Sequence, residues 1–403
     1  MDKATILEQS KRFNSFYLYD EKVIQEAVST LKTDFADVEF LYSVKANPFL
    51  PVLKSILQSG FGADAASLNE VLLSKKLGCE NIYYSAPGKT EHDVACSIDK
   101  ATIIADSPNE VLLIQKAAQK AGLTVKIGLR VNPDFAFWGG KGETSKFGID
   151  EEQIYELIPQ WKKLENISIT GIHVHLHSQE LNGNIIGAYH EKMFALAEKM
   201  QLALGTPLEF INLGSGIGIP YSKSDKPVDT HSLGKAAAEL IKKYRSKMPE
   251  TAIFIETGRF VSGKSGVYAT KVLDKKTSRG KTYVILSNTL NGFIRPSVAI
   301  MAEKYSPKEF PDMYEPLYTE KGAFEFIALT NETETEKVTL CGNLCTSTDV
   351  IAEDIVMPKL TFGDVVVITN AGSYAAVLSP MQFAFQTPPA QLFLAADGKI
   401  ISE

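Results

Sequence analysis

An excess of positive charge is the first thing missing from this 403-residue chain: Lys and Arg total 42 against 48 Asp and Glu, a net charge of −6. Nucleic-acid binders draw much of their affinity from a basic face, so that class is excluded. Cysteine is also scarce. The four present (Cys79, Cys96, Cys341, Cys345) are too few for a disulfide framework at this length, and a reducing cytoplasm is the expected setting. No apolar run approaches the roughly 18 residues of a membrane span, and the opening MDKATILEQSKRF lacks the apolar core of a signal peptide. Internal repeats, low-complexity tracts and Ser/Gly linkers are absent too. With 44% apolar and 22% charged residues, the chain has the composition of a folded protein rather than a disordered or fibrous one. At about 150 residues per domain its length allows two or three, and the balance fits an enzyme.

What is present is a rhythm. Short apolar or β-branched runs occur at 38–44, 61–65, 81–85, 101–106, 125–131, 167–176, 210–213 and 252–256. Stretches of helical periodicity follow them, as at 48–59, 67–77, 107–121, 151–163 and 233–247. Eight such units close a (β/α)8 TIM barrel, expected over 21–262. A doubly wound open sheet is the alternative, but it has fewer units and an early glycine fingerprint that this chain lacks. Beyond residue 263 the pattern becomes TKVLDKK, TYVILS, EFIALT, KVTLCG, DVVVIT and QLFLAA, strands joined by turns. A β-sandwich or β-barrel domain is expected over 263–403, and an early strand at 13–20 can pair with its sheet.

Barrel enzymes carry their chemistry at the C-terminal ends of the strands. Lys45 ends the first strand and Asp64 the second; Arg130 closes the fifth; His173, His175 and His177 lie at the end of the sixth. Gly214, Ser215, Gly216 and Gly218 follow the seventh, and Glu256, Gly258 and Arg259 end the eighth. A lysine held behind the apolar run 40–44 is desolvated, which lowers its pKa and makes it a nucleophile for a Schiff base; the bland reading is a solvated surface lysine. Glycine turns let backbone N–H groups approach a phosphate but also serve as plain βα turns. The pairing with Gly258 and Arg259 favours phosphate, which recurs at strands seven and eight of this fold. The three histidines share one face if their segment is a strand. A zinc site would need ligands from other strand ends, and His92, His190 and His231 lie in helical or loop stretches, so no metal is expected.

The ordered set YSVKANP, GADAAS, HVHLHSQ, NLGSGIGIPY, ETGRF, LCTSTD and AGSY, spread over about residues 16 to 394, resembles the fold-type III pyridoxal-phosphate decarboxylases, the class of diaminopimelate and ornithine decarboxylases. The resemblance implies pyridoxal 5'-phosphate as cofactor, carried on Lys45 with Asp64 nearby. It implies that His175 stacks on the pyridine face, that Ser178 and Arg130 lie around the ring and its phosphate, and that Glu256 contacts the pyridine nitrogen. Gly214, Gly216, Gly218, Gly258, Arg259 and Tyr374 would hold the phosphate. It also implies a homodimer with shared active sites. Cys345 would protonate the reacting carbon in the partner's site, with Asp349 beside it; the bland reading of Cys345 is a buried apolar cysteine.

Departures from the family pattern bear on substrate. Diaminopimelate and ornithine decarboxylases have an acid after the catalytic cysteine to meet a distal ammonium; here that position is Thr346. A buried ammonium without its carboxylate is costly, which argues against free lysine, ornithine or diaminopimelate. Arg295 in GFIRPSVA resembles the family arginine for a distal carboxylate, and Ala299 replaces the tyrosine expected four residues later. LCTxxD, ETGRF and APGKT look most like a branch acting on conjugated or carrier-linked amino acids, including the citrate-linked diaminopropionate of staphyloferrin B siderophore synthesis. The expected activity is decarboxylation of such a substrate. Diaminopimelate decarboxylation is the main alternative. An amino-acid racemase, a pyridoxal-phosphate homeostasis protein and a metal-dependent barrel hydrolase stand further off.

Overall fold

The computed structural model describes residues 2–214, 216–305 and 322–402; Ser215 of the glycine turn lies outside the described residues. After helix α1 (Lys3–Ser10) and strand β1 (Ser15–Asp20), the chain alternates as its pattern predicts. The barrel strands are β2 (Glu39–Ser43), β3 (Gly62–Ala65), β4 (Ile82–Tyr84), β5 (Thr102–Ala105) and β6 (Val125–Asn132). A two-residue β7 (Ile149–Asp150) follows on the flank of β6, then β8 (Ile167–His173), β9 (Phe210–Asn212) and β10 (Ala252–Thr257). Parallel pairing runs β5-β4-β3-β2-β10-β9-β8-β6, and β5 pairs β6 to close the circle.

The outer helices are α2 (Glu21–Asp34), α3 (Leu50–Gln58), α4 (Leu68–Lys76), α5 (Glu91–Ser97), α6 (Pro108–Ala121), α7 (Glu151–Trp161), α8 (Gly183–Leu204) and α9 (Thr230–Tyr244). Their ends are written locally. In α6, Ser107 accepts a hydrogen bond from Glu110 N, Pro108 occupies the first turn, and Gly122 closes the helix at φ 67°.

The lower lumen is packed, not hollow. Leu41, Ile104, Phe210 and Phe254 form a buried cluster inside it. The ring of Phe210 fits because β6 and β8 present glycine: a Cβ on Gly171 would lie 2.3 Å from that ring, and one on Gly128 2.8 Å. Filling the floor with apolar side chains leaves the C-terminal rim as the place for polar ones.

The chain leaves the barrel through short α10 (Arg259–Ser262) and the 13-residue β11 (Gly266–Ser278). It continues through β12 (Lys281–Leu286), α11 (Ile294–Tyr305), β13 (Phe326–Leu329), β14 (Thr335–Gly342), β15 (Val350–Pro358), β16 (Val365–Ile368), β17 (Ala390–Leu394) and β18 (Ile400–Ser402). β11 serves two layers. Its first half pairs β1 and β16, a register shift between Val272 and Asp274 bends it, and its second half pairs β12. β1 sits between β11 and β17, as the early strand was expected to. Two differences from the sequence reading emerge. α11 was not foreseen, because Pro296 obscures a helix that tolerates proline in its first turn. The sixth barrel strand ends at His173 rather than at 176, so strand alternation does not govern His175 and His177.

A candidate active site at the C-terminal rim of the barrel

Lys45 sits in a single turn (Val44–Ala46) directly after β2. Its Nζ lies 2.6 Å from Asp64 Oδ2 at the end of β3, and Asp64 Oδ1 accepts a hydrogen bond of 2.6 Å from Ser85 Oγ. The desolvation expected to lower the pKa of Lys45 is present, but the charges of Asp64, Tyr374 and Glu256 outweigh it and raise the pKa. The expected free amine is therefore corrected: without cofactor Lys45 is an ammonium, because two carboxylates face it.

Glu256, at the end of β10, is buried. It accepts a hydrogen bond of 2.8 Å from Asn212 Nδ2, and its Oε1 lies 3.1 Å from His173 Nε2. Burial alone would favour its neutral form, but His173, Lys45 and His175 hold it well below the ordinary carboxylate range. Asn212 also accepts from Gly214 N at 2.9 Å, tying the glycine turn to the carboxylate. His175 is different. Burial, reinforced by Arg130 and Lys45, pushes it down to about 3 against the pull of Glu256, so the ring is a neutral imidazole, with Ser178 Oγ 3.3 Å from its Nε2. His177 packs on Trp138 with centroids 4.3 Å apart. The three histidines thus have three environments and form no common face.

Arg130 lies against the Phe147 ring at 4.3 Å, reaching Ser85 O at 3.4 Å and Asp106 Oδ1 at 3.5 Å. Around the other side, the AGSY segment folds onto the barrel: Tyr374 N donates to Ala46 O and Asn47 Nδ2 to Gly372 O. The guanidinium of Arg259 lies 4.7 Å from the Tyr374 ring centre. Nearby backbone is bare by necessity. Gly214 has φ 68°, and a Cβ there would sit 2.2 Å from Val174 O; one on Gly258 would sit 2.7 Å from Ala46 Cβ. Gly216 has φ 150°, with Phe137 and Ile186 at ordinary contact distance from where a Cβ would lie, whereas Gly218 packs against Gln179. Arg295 on α11 is wholly buried and donates to Tyr221 Oη at 3.1 Å.

Cys345, Thr346 and Asp349 lie apart, between β14 and β15. Cys345 is exposed, which excludes the buried apolar reading. Thr346 Oγ1 is 2.9 Å from Thr348 Oγ1. Asp349, expected beside Cys345, is held by its own chain. It is buried and accepts hydrogen bonds from Leu290 N, Leu344 N and Thr289 Oγ1 of its own chain, which makes it the anchor of the Cys345 loop. The sequence reading missed Ser85, Asp106, Asn212 and Tyr221. Ser85, Asp106 and Asn212 each end a barrel strand or follow it by one residue, which was the available signal.

A barrel whose rim offers an amine, an ionised buried carboxylate, a neutral imidazole and bare glycine backbone beside an arginine has the equipment of a pyridoxal-phosphate enzyme. The amine suits an aldehyde, the carboxylate a pyridinium nitrogen, and the glycine–arginine corner a phosphate. Residues 21–263 match the pyridoxal binding domain of the pyridoxal-dependent decarboxylases. The chain is 30% identical to an L-glutamyl-BtrI acyl-carrier protein decarboxylase of Niallia circulans, over 97% of this chain and 91% of that protein. It is 27% identical to the 2-((L-alanin-3-ylcarbamoyl)methyl)-2-hydroxybutanedioate decarboxylase of Staphylococcus aureus, covering 94% and 93%. The crystal structure of diaminopimelate decarboxylase from Helicobacter pylori complexed with L-lysine superposes with a TM-score of 0.81 at 25% identity, covering 96% and 93%. The chain belongs to the fold-type III pyridoxal-phosphate-dependent decarboxylases. It is an enzyme of that class, with pyridoxal phosphate as its cofactor. Among the described residues no helix is long and apolar enough to cross a membrane.

Proposed function

We propose that this enzyme removes the α-carboxylate, as CO2, from a modified or conjugated amino acid that carries a distal carboxylate or a bulky acyl group. The observation that carries this reading is Thr346. Beside Cys345, where an acid would receive a distal ammonium, this chain offers a hydroxyl already close to Thr348. A substrate with a free distal ammonium would bury that charge without a counter-charge there, at a cost of several kcal/mol. Two relatives named for conjugated substrates support the same reading. A citrate-linked diaminopropionate and a carrier-linked aminoacyl group are the two forms to test first. Decarboxylation of free diaminopimelate is the second reading, favoured by the 28% identity over 390 residues to the enzyme named for it in Aquifex aeolicus.

Bound pyridoxal phosphate supplies an electron sink for the pair left by departing CO2. The chain's own residues do the rest. Lys45 is the amine to which the cofactor attaches, with Asp64 holding it in place at 2.6 Å. Glu256, fixed by Asn212 and His173, keeps a negative charge where a protonated ring nitrogen needs one. Neutral His175 would cover a ring face without adding positive charge, with Ser178 beside it. Arg130 would lie around the ring and its phosphate, and Gly214, Gly216, Gly218, Gly258, Arg259 and Tyr374 would receive the phosphate. Arg295 offers a buried cation to the distal carboxylate.

Exposed Cys345, on a loop anchored by Asp349, would reach the site of a second copy and supply a proton from its Sγ to the carbon that lost CO2. The working unit is thus a homodimer, in which residues 21–262 form the cofactor barrel and residues 263–403, with strand 13–20, form the second domain. The test is CO2 release from a panel of conjugated and free amino acids. Turnover of conjugates over diaminopimelate supports the proposal, and the reverse order overturns it.

A further inference from the structure

Between the cofactor corner and Arg295 runs an alternating stack of rings and cations. The guanidinium of Arg259 lies 4.7 Å from the Tyr374 ring centre and 5.6 Å from that of Tyr221. That of Arg295 lies 5.1 Å from Tyr221 and 5.5 Å from Phe324. Tyr221 is the shared member. Its hydroxyl oxygen accepts from Arg259 Nη1 at 2.5 Å and from Arg295 Nη1 at 3.1 Å. Tyr221, Arg259 and Arg295 are all buried, and two guanidiniums on one oxygen repel each other.

We propose that Tyr221 is a positioning residue that couples the two anion-binding arginines of this site, serving as their shared hydrogen-bond acceptor and as an internal counter-anion when ionised. The proposal rests on the reading of Arg259 and Arg295 as receivers of a phosphate and a carboxylate. Its physical basis is a competition. With the phenol protonated, it offsets neither of the two guanidinium charges. With the phenol ionised, one of those charges is already neutralised from within.

The two arginines pull this phenol down to about 8 despite its burial, so the changeover falls in an accessible range. The sign follows: anion affinity is full below about pH 8 and falls above it. Other charged groups face Tyr221 from its own segment and from the strand side. Asp225 accepts from Tyr221 N at 3.0 Å, and Lys223 pairs with Glu325 at 2.8 Å on the wall of a cavity of about 450 Å³ that Tyr221 also lines. Tyr374 faces it across Arg259.

Sulfate is the suitable probe, because it stays a dianion across the whole range. Its dissociation constant is measured by calorimetry between pH 6.5 and 9.5 on the full chain freed of pyridoxal phosphate, for wild type and Tyr221→Phe. Phe keeps the ring between the cations and removes the oxygen. The expected result is a wild-type constant that rises about tenfold from pH 7 to pH 9 and a variant constant that does not. Equal slopes in the two proteins overturn the proposal. Should sulfate not bind either protein, the reading of Arg259 falls with it, whereas binding without the pH step removes only the role of Tyr221. Should Tyr221→Phe fail to fold, ultraviolet titration of the wild type decides. A phenol ionising near pH 8 that sulfate shifts upward supports the coupling, and one indifferent to sulfate refutes it.

Discussion

Replacing Asp64 by Asn removes one negative charge 2.6 Å from the Lys45 amine and leaves a side chain of the same shape to receive the hydrogen bond from Ser85. Burial of Lys45 then meets less opposition, and its pKa falls. A counter-charge this close shifts a pKa by about one to three pH units. The low end applies, because the Lys45 side chain is 43% exposed and Glu256 and Tyr374 still face it. Far below the pKa, one pH unit means about ten times more free amine at any given pH. Covalent capture of pyridoxal phosphate needs that free amine. Added to cofactor-free protein and followed by its absorbance, pyridoxal phosphate should therefore attach about tenfold faster to Asp64→Asn than to wild type between pH 6.5 and 8.5. Ser85→Ala, which keeps the charge, should stay within about twofold of wild type. An unchanged or slower rate in Asp64→Asn would refute the reasoning, since it would mean that the carboxylate does not hold the proton on Lys45.

Other outcomes are equally specific. Glu256→Gln should lower the rate of CO2 release by a factor of at least about 10² while leaving pyridoxal phosphate attached through Lys45, since only the charge opposite the ring nitrogen is lost; full activity would show that Glu256 does not serve that nitrogen. Gly214→Ala should lower the melting temperature and weaken cofactor binding, at a cost of about 1–3 kcal/mol for an alanine forced to positive φ against the Val174 carbonyl; an unaltered melting curve would contradict the described turn. Lys89→Met should destabilise the protein by about 3–5 kcal/mol in denaturant unfolding, because it strands the buried Glu110 carboxylate now 2.9 Å from Lys89 Nζ. Adding Glu110→Gln should recover part of that loss, and failure to do so would show that the loss is not one of charge. Mixing inactive Lys45→Ala and Cys345→Ala subunits should restore about a quarter of wild-type activity, because half the dimers then hold one intact shared site; no restoration would place both residues in the same subunit's site.

The barrel was legible in the sequence because its periodicity and its helix caps agree: the Ser107–Pro108 start and Gly122 stop of α6 are written in the residues themselves. The residues ending its strands were legible for the same reason, since a polar side chain directly behind an apolar run must sit at the rim. What the sequence could not convey were distances between strands. The pull of Asp64 and Glu256 on Lys45 exceeds that of burial only because the barrel brings three strand ends together. Likewise, nothing in the sequence conveys that the Asp349 carboxylate collects three hydrogen bonds from its own chain. The histidine alternation misled because it assumed a strand that stops two residues before His175. Tyr221 closed a quoted motif, but its place between two arginines depends on α10 and α11, which only the folded chain sets side by side.

The central claim is a decarboxylase whose substrate carries a conjugated or acidic distal group. The most direct measurement is CO2 release by the purified enzyme, loaded with pyridoxal phosphate, from a citrate-linked diaminopropionate, a carrier-linked aminoacyl substrate and free diaminopimelate in parallel. The account predicts that at least one conjugate is turned over with a kcat/KM about a hundredfold or more above that for diaminopimelate, the discrimination expected when a buried ammonium finds no carboxylate. A kcat/KM highest for free diaminopimelate would contradict it.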